Sequence, residues 1–185
     1  MTTRSDRVST RRGPSRAHAQ EQARRAARPP AASKRAISSR DLGIHLESRK
    51  EAELFKWFLA CLLFGKPIQQ EVAKRAYLEF VREGSVSPEA LLKAGWDRLV
   101  ETLDRGHYVR FDFSTATKLL EISQALMERY GSLTNLFQQS RNRGDLVRRL
   151  QEFRGVGPTT TRIFLRDIKS LWRFGPGATS ACDNL

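Results

Sequence analysis

One glycine-rich turn has the residue types best suited to chemistry. It runs Gly155-Val156-Gly157-Pro158-Thr159-Thr160. Two glycines around one apolar residue allow the chain to reverse with positive φ at both, and the proline suits the first turn of a following helix. Such a turn presents free backbone N–H groups at the positive end of that helix, where a phosphate oxygen is held well. An ordinary helix connection with a glycine stop is the alternative.

The segments around this turn predict the helices that position it. Leu146, Leu150 and Phe153 recur at helical spacing before the turn, and apolar residues do the same after it. From about residue 46 onward this periodicity repeats without strand-like alternation, which predicts an all-α domain of about eight helices. The first two predicted helices span Glu47 to Phe64 and Pro67 to Arg82. Two short helices, 88 to 94 and 96 to 104, follow the start signal Ser87-Pro88-Glu89. A long helix begins near Ser114, and a short one is capped by Ser132.

Charge divides the chain into three parts. Eleven of the 33 Lys and Arg residues lie in the first 40 positions, against two of the 20 acidic residues. We therefore expect a disordered basic arm over 1–45, a folded domain over 46–174 and an irregular tail over 175–185, for which truncation stays open. Contact with DNA or RNA would use the arm's charge. A solvated extension without a partner, an organelle transit peptide and a misassigned start codon stay open.

Composition excludes several function classes. The longest apolar run, Leu54 to Phe64, is interrupted by Lys56 and falls short of the roughly 20 residues that a membrane helix needs. No secretory signal pattern is present, so we expect an intracellular protein, cytoplasmic or nucleoid-associated if bacterial, with organelle targeting by the arm left open. Cys61, Cys182 and three scattered histidines predict no disulfide framework, no iron–sulfur cluster and no metal held by side chains.

Three stretches, in this order, resemble the helix-hairpin-helix DNA glycosylase superfamily, whose members include endonuclease-III-like and 3-methyladenine-glycosylase-like proteins. Leu62 to Gln70 resembles the first core helix and its DNA-facing end. Gly106 to Lys118 resembles the loop and helix ahead of the hairpin, and Phe153 to Thr161 resembles the hairpin itself. The resemblance covers about residues 50 to 171.

The resemblance implies that duplex DNA is the partner and base-excision repair the setting. It implies a monomer, no known protein partner and no cofactor beyond a monovalent cation that the hairpin backbone would hold. The implied DNA contacts come from the hairpin and from polar residues on the neighbouring stretches: Gly155, Val156, Gly157, Thr159, Thr160, Lys66, Gln69, Gln70, Arg110 and Lys118.

The family's catalytic positions are only partly filled here. Lyase members place a lysine nucleophile two residues after the second hairpin glycine, where this chain has Thr159, so abasic-site lyase chemistry at that position is not expected. The 3-methyladenine type uses a later aspartate, for which Asp183 is the candidate. We expect a duplex-DNA-binding protein with weak or no catalysis; the alternative is a monofunctional N-glycosylase using Asp183.

Overall fold

The computed structural model describes residues 35–168, and this part of the chain is all-helical, without a β-strand. Every element lies in the unit that begins at Ala36. Two short 3-10 turns, Arg40–Leu42 and Leu46–Ser48, come first. Seven helices follow: α1 (Glu51–Phe64), α2 (Gln70–Arg82), α3 (Pro88–Arg105), α4 (Asp112–Arg129), α5 (Leu133–Gln139), α6 (Arg143–Gln151) and α7 (Pro158–Ile168).

Helix α1 forms the centre of the core. Every residue from Leu54 to Leu63 except Lys56 is buried, and the helix packs against α2, α5 and α7. Its Trp57 Nε1 donates to the Phe164 carbonyl of α7 at 3.1 Å. A helix that is apolar on nearly all sides is stable in water only when other helices cover it. No helix in the described range is long and apolar enough to cross a membrane.

Local start signals are confirmed at two helices. The Ser87 hydroxyl accepts a hydrogen bond from Ala90 N at 3.2 Å with Pro88 in the first turn, and the Ser132 hydroxyl accepts one from Asn135 N at 3.0 Å. Gly95, at φ 75° and ψ 173°, interrupts α3. The two short helices predicted over 88–94 and 96–104 are therefore the two halves of one kinked helix.

Two predicted starts are too early. Helix α1 begins at Glu51 rather than Glu47, because Arg49 adopts a left-handed conformation and ends the preceding 3-10 turn. Helix α2 begins at Gln70 rather than Pro67, because a tight turn from Ile68 N to the Lys66 carbonyl, 2.8 Å, comes before an extended Gln69. Residues 65–69 are thus a loop at the end of the core helix.

Candidate functional site

The predicted helix–turn–helix is present, formed by α6, the turn and α7. Phe153 and Val156 are buried and fix the turn to the core, with Val156 N donating to the Phe153 carbonyl at 3.0 Å. The Gly157 carbonyl accepts from both the N–H and the hydroxyl of Thr161, each at 3.0 Å, which caps the start of α7. Apolar anchoring on one side leaves the backbone of the turn facing outward on the other.

The two glycines of the turn differ. Gly155 has φ 100°, as expected, whereas Gly157 has no positive φ, so the prediction for Gly157 is wrong. A Cβ on Gly155 would also come within 2.7 Å of Lys118 Cδ, while a Cβ on Gly157 would meet nothing within 4 Å. The chain reversal therefore needs glycine at Gly155 alone, because Val156 and the cap at Gly157 complete the turn in ordinary conformations.

The turn holds backbone donors that the described part of the chain does not use. Val156 N and Thr161 N are bonded, but the N–H groups of Gly155, Gly157 and Thr159 make no hydrogen bond to another described residue. Thr159 is exposed at the first turn of α7, where helical geometry leaves N–H groups free. That these groups hold a phosphate oxygen stays a prediction from the sequence.

Thr160 has a different role from Thr159. It is only 4% exposed, and its hydroxyl lies against Gly65, so closely that no Cβ would fit there. This close approach fixes the loop that carries Lys66 against the first turn of α7. Thr160 therefore positions the loop rather than facing outward.

A second anchor fixes the same loop from the other side. Tyr108, in the loop before α4, is fully buried, and its hydroxyl donates to the Leu63 carbonyl at 2.7 Å. Burial raises the pKa of this phenol, so it remains a proton donor. The bond ties the last turn of α1 to the start of α4. Lys118 is therefore placed by helix α4, and Lys66 by a short loop whose start is anchored at Gly65 and Leu63.

Lys66 and Lys118 lie together against the hairpin in a small depression that we call the twin-lysine cleft. Its walls also include Gly155, the hydroxyl-bearing Thr115 and three apolar side chains from α1 and α4: Leu62, Leu119 and Ile122. The methylene chain of Lys118 crosses the position that a side chain on Gly155 would occupy. Three separate sequence stretches of the predicted site are thus brought to one place.

The electrostatics of the cleft are unfavourable without an anion. Burial among the apolar walls, followed by the hydrogen bond and the positive charge of Lys118, lowers the pKa of Lys66 to about 8. No carboxylate is among the described residues that line the cleft. Glu121, one turn along α4, is bonded to Arg154 of the hairpin at 3.2 Å. A negatively charged oxygen between the two amines would relieve their repulsion.

The size of the cleft limits its occupant. The open volume is about 10 Å³, which corresponds to one water-sized atom. A nucleobase or a sugar ring does not fit, whereas one phosphate oxygen does. The cleft therefore admits a single oxygen of an anion and excludes a ring.

The structure does not bring the other predicted polar residues into this cleft. Gln69 is exposed ahead of α2, and Arg110 is exposed with its guanidinium over the Phe111 ring at 5.3 Å. Gln70 lines a separate groove of about 380 Å³, together with Arg162 and others, and its Oε1 accepts from Ile37 N at 2.9 Å. Gln70 is thus held by the segment before α1.

Asp183, the candidate catalytic acid, lies outside the described residues, as do the basic arm up to residue 34 and the tail from 169 onward. Across residues 35–168, no three His, Cys, Asp or Glu side chains cluster in a way that would hold a metal ion.

Three comparisons with known proteins were made. No family model, no curated protein and no solved structure matches this chain.

Proposed function

We propose that this chain is a duplex-DNA-binding protein that holds strand phosphates at its hairpin and twin-lysine cleft. It has a helix-hairpin-helix glycosylase-like fold and weak or no base-excision activity. The observation that carries the proposal is the placement of Lys66 and Lys118 against Gly155. Two amines without a carboxylate, beside free backbone donors, form a site for an oxyanion.

The chemistry of the site favours duplex backbone over bases. Backbone N–H groups and lysines contact phosphate and sugar, which positions a protein on DNA without reading its sequence. The open volume of the cleft admits one oxygen, which agrees with contact to a phosphate group. The chain's formal net charge of +13 would add long-range attraction for a polyanion.

Catalysis has less support. Thr159 lacks an amine at the position where lyases carry their nucleophile, and the cleft lining contains no carboxylate within the described residues. N-glycosylase activity through Asp183 stays a prediction from the sequence. Replacing Asp183 with asparagine would abolish any base release while leaving duplex binding intact.

The proposal is tested by the salt dependence of binding. Fluorescence anisotropy would measure the Kd of the full chain for two unrelated duplexes over about 50 to 200 mM salt. Lys66→Met and Lys118→Met should each weaken binding roughly tenfold and lower the slope of log Kd against log salt by about 1, equally for both duplexes.

A matched control comes from another lysine. Lys93 is exposed on α3 and has no ion pair to a described residue. Lys93→Met removes the same charge from the chain, so net charge alone would make the three variants equal. If Lys93→Met lowers the salt slope as much as the cleft variants do, binding is not located at the cleft and the proposal fails.

A further inference from the structure

We propose that the twin-lysine cleft binds a terminal phosphate monoester, such as the phosphorylated strand end at a nick, in preference to an internal phosphodiester. This inference rests on the proposed function and names the form of DNA that the same site selects. It follows from two features of the cleft: its charge and its depth.

Charge is the first feature. Two lysine amines share the cleft, and no carboxylate is among the described residues that line it; the nearest one on α4 that the hairpin contacts, Glu121, is paired with Arg154. A phosphodiester carries one negative charge, while a monoester, with a second pKa near 6, carries almost two above about pH 7. A doubly charged group therefore neutralises both amines, and a diester leaves one positive charge uncompensated.

Shape is the second feature. The opening admits about one oxygen atom and lies directly against the backbone of the hairpin. A diester phosphorus carries a sugar on each side, so both strand directions must clear the hairpin when one oxygen enters. A terminal phosphate has one ester bond and three free oxygens. One oxygen enters between the amines, and the others remain for the N–H groups of Gly157 and Thr159.

Binding of the dianion is linked to protonation of Lys66. The group facing Lys66 is the Lys118 ammonium of α4; the hairpin contributes the uncharged Gly155, and the nearby Arg154 is bonded to Glu121. The pKa of Lys66 is about 8 in the free protein, and an anion raises it. Binding therefore takes up a proton above pH 8, and affinity falls there by up to about tenfold per pH unit.

The experiment uses one nicked duplex prepared with a 5′-phosphate, a 3′-phosphate or only hydroxyls at the nick, together with the intact duplex. At pH 7.5 the full chain should bind one phosphorylated nick about tenfold more tightly than the hydroxyl nick. Comparison of the duplex with a 5′-phosphate and the duplex with a 3′-phosphate identifies which strand end is bound. The preference should shrink below about pH 6, where the monoester loses its second charge.

Lys118→Met provides the discriminating variant, because it leaves one positive charge in the cleft, which an internal phosphodiester already neutralises. It should weaken binding of the phosphorylated nick more than binding of the intact duplex, so that the preference falls severalfold. Lysine-dependent binding that is equal for phosphorylated and hydroxyl nicks would overturn this inference and leave the proposed function standing. Binding that does not depend on Lys66 or Lys118 for any duplex would overturn the proposed function itself.

Discussion

Two charged clusters of this protein are arranged in opposite ways. On the outer face of α2 and α3, Glu83 accepts from Arg98 and from Arg105, each at 2.7 Å. Hydrogen bonds from Arg98 to Glu83 and then to Glu101 raise the pKa of that guanidinium. In the twin-lysine cleft, two amines face each other and the pKa of Lys66 falls. The first cluster is satisfied within the protein, whereas the second has no carboxylate among the described residues that line it.

The difference indicates what each cluster is for. An exposed network of ion pairs contributes modestly to stability and needs no ligand. Adjacent like charges cost stability, and they persist here because packing fixes both side chains. Lys118 lies across Gly155, and Lys66 lies in the loop that Thr160 contacts at Gly65. Variants in the ion-pair network around Glu83 should therefore change stability, and variants in the twin-lysine cleft should change DNA binding.

The largest expected effect is at the hairpin glycine that supports the cleft. Gly155→Ala places a Cβ at φ 100° and within 2.7 Å of Lys118 Cδ. We expect the free energy of unfolding to fall by about 1–3 kcal/mol and DNA binding to weaken, because Lys118 is displaced. Urea denaturation and anisotropy would measure both.

Gly157→Ala is the matched control for this variant. A Cβ there meets nothing within 4 Å, and φ is not positive. We expect little change in the free energy of unfolding. If Gly157→Ala lowered the free energy of unfolding as much as Gly155→Ala does, that result would contradict the described geometry of the turn.

A smaller effect is expected in the ion-pair network. Glu83→Gln removes the carboxylate that Arg98 and Arg105 share. Each guanidinium keeps a second carboxylate, Glu101 for Arg98 and Glu79 for Arg105. The free energy of unfolding should fall by about 0.5–1 kcal/mol, with no loss of DNA affinity. Thermal unfolding would measure the change in stability, and fluorescence anisotropy would measure the affinity for DNA. Weaker DNA binding by this variant would mean that the two clusters do not have separate roles.

The smallest expected effect is a gain in stability. Lys66 has a folded-state pKa of about 8, below that of an unfolded lysine, so the unfolded chain binds more protons between about pH 8 and 10. The wild type should therefore gain stability relative to Lys66→Met as pH rises through that window. Below it the variant should be more stable, by less than about 1 kcal/mol after solvent screening. A variant that is less stable at pH 7 would show that the Lys66 charge is not strained.

Local features of the fold were predictable from sequence, and long-range ones were not. The caps at Ser87 and Ser132 depend on residues three positions apart, so the pattern predicts them well. The start of α1 was missed because the left-handed Arg49 carries no strong sequence signal. The domain boundaries, with much of the first and last parts outside the described residues, stay a prediction.

The site was predictable in its parts but not in its assembly. Lys66, Lys118 and Gly155 were each singled out, yet their meeting depends on how α1, α4 and α7 pack. One signal was available: Lys118 shares a helix face with Thr115 and Ile122, both buried, and a lysine on a buried face is unusual. Gln70 illustrates the limit, because its partner, Ile37, lies 33 positions away.

The most direct test of the account is the pKa of Lys66, measured by NMR on lysine labelled at Cε and Nζ, with and without duplex DNA. Lys66→Arg assigns the signal. The account predicts a pKa of about 8 in the free protein and a rise of about one unit or more when DNA is bound, because a phosphate oxygen then compensates both amines. A pKa near that of an ordinary lysine, or one that DNA does not move, would contradict the proposal that this cleft holds a phosphate.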